Sequence, residues 1–134
     1  MNNNDLFGDV IYSYTRAQAM GDGELVDVSE TAREAGVRLQ VAVTRAVWDR
    51  YISWDVSDTD KQCYQDESGR LWDVSWMLRM AINSCRDGSA VQYRLHVIPR
   101  DGRSRKAALI QLKAVVHSGD EGEPVITVML PTED

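Results

Sequence analysis

With 134 residues, 43% of them hydrophobic and 27% charged, the chain has the size and composition of one soluble domain, able to bury roughly two thirds of its unfolded surface without a disulfide or metal. A formal charge of -6 argues against sequence-independent binding to phosphate backbones, which draws its affinity from lysine and arginine displacing counterions, so direct nucleic-acid binding is not expected. No apolar run approaches the ~20 residues of a membrane span, and MNNNDLFGDV lacks the basic start and apolar stretch of a signal peptide; a cytoplasmic location without membrane contact is expected.

In chain order, residues 1–5 read as disordered. Thr15 and Gln18 stand at capping-box spacing before a glycine stop, which predicts a short helix over 15–20. Glu24 to Val28 alternates and reads as a short strand or extended stretch. Ser29 then reads as the N-cap of ETAREA, with Gly36 as its stop. VRLQVAV is extended, and Thr44 opens a helix in which Val47, Trp48, Tyr51 and Ile52 face the core.

Residues 55–69 are polar and without clear period, a long connection for so small a domain; a helical turn or strand near Lys61 to Tyr64 is the only structure they suggest. Leu71, Val74, Leu78 and Ile82 then mark the strongest helix, and Trp72, Trp76 and Met80 read as widening its core stripe. From residue 91 the period becomes two. Val91 to Val97, Ala107 to Val116 and Val125 to Leu130 predict an antiparallel meander of three or more strands, joined by RDGRSRK and HSGDEGEP. Helices packed on such a sheet make residues 1–134 one α+β domain. Whether the extended runs at 24–28 and 37–43 join the sheet is left open by the sequence.

Charge is unevenly spread. Residues 1–67 hold 13 acids against 6 bases, and residues 68–134 hold 8 acids against 9 bases. The two turns of the meander should lie at opposite ends of the sheet, one basic and one acidic, separated by about eight residues at ~3.4 Å each. That distance is several times the ~8 Å screening length, so neither turn neutralises the other within one molecule. GDEGEP is too short for a calcium loop; it reads first as a chain reversal and second as a contact patch.

Catalytic and metal patterns are missing. There is no GxSxG elbow, phosphate loop, HExxH or dinucleotide fingerprint. Cys63 and Cys85 form no CxxC and read as reduced thiols, and His96 and His117 stand alone in strand-like runs. No catalytic residue, metal or cofactor is therefore assigned. The least implausible hydrolytic site gathers Asp66, Glu67 and Asp73 near Tyr64 and Trp72, where aromatic neighbours could raise a carboxyl pKa.

LFGDVIYSYTRAQAMGDGELVDVSETAREAGV, VAVTRAVW, YQDESGRLWDVSWM, DGRSRK and DEGEPVITVMLP together resemble a family of small bacterial proteins catalogued as a domain of unknown function and carried on plasmids, integrative elements and phages. The resemblance spans nearly the whole chain and brings no site residues. It implies a setting, the accessory cargo of mobile elements, where small acidic proteins block host proteins, defence nucleases among them.

The expectation is thus a non-enzymatic accessory protein that docks on a basic surface of a host protein, as an anti-CRISPR or anti-restriction inhibitor imitating nucleic-acid charge would. Asp22, Glu24, Asp27, Glu30, Glu34, Asp120, Glu121 and Glu123 are its candidate contacts, although a solvated face and favourable helix N-termini also explain the first five. A hydrolase using the carboxylate and aromatic cluster, and a self-associating regulatory module joined through its oppositely charged hairpin ends, are the alternatives.

Overall fold

The computed structural model describes residues 14–85 and 88–134; the expectation for residues 1–5 lies outside the described residues. Helix α1 (Arg16–Gly21) begins at the capping box, in which the Thr15 hydroxyl accepts from the Gln18 N–H and the Gln18 side chain accepts from the Thr15 N–H. Strand β1 (Leu25–Asp27) and helix α2 (Ser29–Glu34) follow. Ser29 is inside α2 rather than capping it: the N-cap is Val28, and the buried Ser29 hydroxyl bonds Asp27 and the backbone of Val41. Gly36 ends the turn at φ +105° with the Arg79 side chain against its Cα, a place where a β-carbon would be both strained and crowded.

Strand β2 (Gln40–Thr44) leads into α3 (Arg45–Val47), capped by Thr44 and continued by a π-helical turn over Trp48–Ile52 that buries Val47 and Ile52. The polar stretch is shorter than the sequence suggested, because α4 (Val56–Lys61) occupies its first half. A reciprocal cap between Asp55 and Asp58 starts it, the same arrangement as a capping box with aspartate in both places. Helix α5 (Glu67–Ser84) buries Arg70, Val74, Ser75, Leu78 and Ala81.

β3 (Ala90–Val97), β4 (Ala108–Ser118) and β5 (Pro124–Met129) form the predicted antiparallel meander. Both N-terminal extended runs join it. The five-stranded sheet has the order β1-β2-β5-β4-β3, with β1 antiparallel to β2 and β2 parallel to β5. β5 is therefore the middle strand, which explains its unbroken run from Val125 to Leu130, buried throughout. The core lies between one sheet face and α2, α3 and α5, where Val41, Val43, Leu112, Ile126 and Val128 meet Val74 and Leu78. Trp72, Trp76 and Met80 are not in it. They lie on the outer face of α5, a correction to the core stripe expected from their spacing.

The loop from β3 to β4 is tied to the helices by polar groups. The side chain of buried Gln62 donates to the Pro99 and Ser104 carbonyls and accepts from the Gly102 N–H. Arg100 bonds Asp58 at 2.8 Å. Burial works to raise the Asp58 carboxyl, yet the Asp55 N–H and Arg100 outweigh it and hold the group below the ordinary range. Asp101 is held at about 2, first by the Ser104 hydroxyl and then by backbone N–H groups of the same turn.

Both folded pKa values are depressed, so their stabilisation is complete above about pH 4 and is lost as pH falls through the folded values. Urea midpoints measured from pH 5 downward should drop below about pH 4, continuing toward about pH 2. The Asp58→Asn, Asp101→Asn double variant should show a shallower drop; an unchanged slope would remove these two groups from the acid response.

Candidate partner-binding surface

Six of the eight predicted contact residues gather around α1. The carboxylate of Asp120, in the β4–β5 turn, accepts from the Arg16 and Ala17 N–H groups at 2.7 and 3.0 Å. The acidic turn is thus a chain reversal that also closes the start of α1, and those two N–H bonds hold the Asp120 carboxyl below its usual value. Within the turn, Glu123 accepts from the Glu121 N–H at 2.9 Å. Asp27, Asp120 and Glu123 all act electrostatically on Arg16. Its guanidinium reaches between the strands, donating to the Thr127 hydroxyl and the Ile126 carbonyl, both at 2.7 Å. At the other end of α1, Tyr14 donates to Asp22 at 2.7 Å, and this bond together with Asp22 and Glu24 charge pushes the phenol up to about 12.

Glu30 and Glu34 stand apart, one helical turn from each other on α2. Glu34 lines a depression of ≈ 580 Å³ together with Thr31, Asp66, Arg70, Trp72 and Asp73. This is where the carboxylate and aromatic alternative lies: Asp66 and Asp73 share the depression, burial raises the Asp73 carboxyl, and the Asp66 carboxylate accepts from Ser68. Tyr64 is 76% exposed and lies outside that lining.

All eight predicted carboxylates are exposed. Among the described residues, none of the eight lies within ion-pair distance of a lysine, arginine or histidine; the ion pairs are Arg45 with Asp49 and Arg100 with Asp55 and Asp58. Their negative charge faces solvent, with Arg16 the cation that Asp27, Asp120 and Glu123 act on most directly. No group of three or more histidine, cysteine, aspartate or glutamate side chains among the described residues is placed to hold a metal ion. His96 is exposed on β3, and the ring of His117 is held by the Thr127 hydroxyl at 2.8 Å and the Ser118 carbonyl at 3.1 Å.

Sequence reasoning did not find the Arg16 to Thr127 link or the role of Gln62, because both join positions far apart in the chain. A signal did exist for Asp120, the single acid directly after Gly119 in a turn whose neighbours are charged, but nothing local names its partner.

Fold and surface together define a small single-domain α+β protein with a mixed five-stranded sheet and exposed, unpaired carboxylates at α1, β1 and the β4–β5 turn. The chain belongs to the family described as "Family of unknown function (DUF6573)", which it matches over residues 1–134. No curated protein and no solved structure matches it. No described helix is long and apolar enough to cross a membrane.

Proposed function

We propose that this protein is a non-enzymatic binder whose acidic surface docks on a basic surface of a host protein, serving a mobile element in the cytoplasm as an inhibitor of a nucleic-acid-handling defence factor. The observation that carries the reading is the meeting of two distant acidic segments, 22–27 and 120–123, around Arg16, with every one of their carboxylates exposed and none ion-paired among the described residues. Such a surface accelerates encounter with a positively charged partner and selects against negatively charged ones.

The test uses immobilised protein and host lysate at low salt, with a variant carrying lysine at Asp22, Glu24, Asp27, Glu30 and Glu34. Wild type should retain a stoichiometric basic protein that elutes as salt rises, and the variant should retain none. Recovery of no such protein by the wild type, or equal retention by the variant, would count against the proposal. The depression at Asp66 and Asp73 favours a second reading, hydrolysis at a carboxylate pair. Asp73→Asn separates the two: it would abolish turnover of a simple ester or glycoside and leave partner capture unchanged.

A further inference from the structure

The two edges of the sheet are treated differently. β1 is three residues long, the kind of short edge that gives a stray strand little to pair with. β3 is eight residues long, contains no proline, and forms the opposite edge, with β4 as its only sheet neighbour among the described residues.

The register shows which backbone groups are left over. Ser89 accepts from the Val116 N–H, so it is a hydrogen-bonded pair, and the same parity makes Val91, Tyr93, Leu95 and Val97 the residues bonded to β4. The N–H and C=O groups of Ala90, Gln92, Arg94 and His96 therefore point away from β4, along an edge that no other described strand pairs with.

Beside that edge lies apolar surface that the core does not use. Trp76 is 39% exposed and Met80 44%, and Trp76 stacks on Trp72 with ring centroids 5.9 Å apart. A groove of ≈ 430 Å³ separates α5 from the edge, lined by Asp73, Trp76, Met77, Arg94, His96 and Leu109. An isolated domain has no reason to hold a tryptophan pair and a methionine outward along one helix.

We infer that β3 pairs antiparallel with β3 of a second copy of this chain, about a twofold axis perpendicular to the sheet, making one continuous ten-stranded sheet. That axis keeps both helical layers on one side, so the Trp76 and Met80 surfaces of the two α5 helices close over the junction. Overlap of residues 90–96, which pairs the outward-facing residues with one another, sets Tyr93 on the axis, Gln92 opposite the second copy's Arg94, and Ala90 opposite its His96; shifting by two residues toward the C-terminus would set Arg94 against Arg94.

Charge favours a second copy over an unrelated strand. Antiparallel pairing brings the basic loop after β3, with Arg100, Arg103, Arg105 and Lys106, to the same end as the other copy's Asp120, Glu121 and Glu123. The loop and turn are then about two to three strand spacings apart, roughly 10 to 15 Å, within reach of long side chains and close to the ~8 Å screening length. Inside one molecule the same two segments lie at opposite ends of the eleven-residue β4.

Sedimentation velocity from about micromolar to hundred-micromolar protein tests this, using wild type, Arg94→Pro and Trp76→Glu. Arg94→Pro removes an N–H that β4 does not use, and position 76 is on an exposed helix face, so both variants should keep the monomer fold by circular dichroism. The wild type should shift from 15.1 kDa to twice that mass, and each variant should raise the dimer dissociation constant about tenfold or more, equivalent to ~1.4 kcal/mol. A wild type that stays monomeric throughout, or a dimer that survives in either variant, overturns the inference.

A measurement independent of variant folding mixes Gln92→Cys protein with Arg94→Cys protein, both lacking Cys63 and Cys85. Disulfide-linked dimers should form faster in the mixture than in either protein alone, and equal rates would overturn the pairing.

Discussion

Replacing Arg70 with alanine is expected to lower the unfolding free energy by about 3 to 5 kcal/mol, the cost of leaving buried carbonyls without their donor and a void beside Trp54. Arg70 is 3% exposed and rises from the first turns of α5 into the space between the π turn and the β3–β4 loop. Its Nε donates to the Ile52 carbonyl at 3.0 Å, and Nη1 donates to the Ile98 carbonyl at 2.8 Å and to Gln65 at 3.2 Å. The guanidinium also lies over the Trp54 ring, 4.5 Å from its centroid.

Truncation leaves two backbone carbonyls without their donor and a void against Trp54. Burial already pushes the guanidinium down to about 10, so the charge is held at a cost that these partners offset. Urea denaturation at neutral pH measures the loss. Arg70→Lys should recover only part of it, because an ammonium cannot reach Ile52 and Ile98 together or stack on Trp54. A loss below about 1 kcal/mol would mean that the loop and π turn hold their places without Arg70.

How much of this was legible beforehand varies with the range of the interactions involved. Caps and strand alternation act over two to four residues, so α1, the Thr44 cap and the three meander strands could be read directly. Helix α4 was missed although its Asp55 and Asp58 carry the capping spacing, because its body, VSDTDK, offers no apolar period and its stability comes from Arg100, forty-two residues beyond Asp58. The joining of β2 to β5 was not legible either. Val41 to Val43 and Val125 to Val128 are apolar runs that a buried strand requires, yet nothing local says that they pair, or that they pair in parallel.

The same limit applied to the carboxylates. Their exposure could be expected from composition, whereas the meeting of residues 22–27 with 120–123 depends on the sheet order and on Arg16 spanning to Thr127. Helix α5 misled in the opposite sense: an apolar residue at helical spacing is ordinarily core, and only the position of the sheet edge shows that Trp72, Trp76 and Met80 belong to the other side.

That division of α5 into two apolar faces leads to the second large effect. Leu78→Ala should cost about 2 to 5 kcal/mol, since Leu78 is 1% exposed against the sheet, beside Val74 and the Tyr93 ring whose hydroxyl donates to the Val74 carbonyl. Trp76→Ala removes a larger side chain, and area alone would predict a larger loss. Trp76, however, is 39% exposed, and the specific contacts of its ring are the stacking on Trp72 and the Arg79 guanidinium 5.4 Å from its centroid, each worth roughly 1 kcal/mol or less at an exposed site.

Melting both variants in dilute solution, where association contributes little to apparent stability, should therefore place Leu78→Ala far below Trp76→Ala. Raising the protein concentration should stabilise Leu78→Ala, which keeps the pairing surface, and leave Trp76→Ala unchanged. Equal losses in dilute solution would instead make the outer tryptophans part of the folding core, and the case for an apolar surface reserved for a second copy would fall with them.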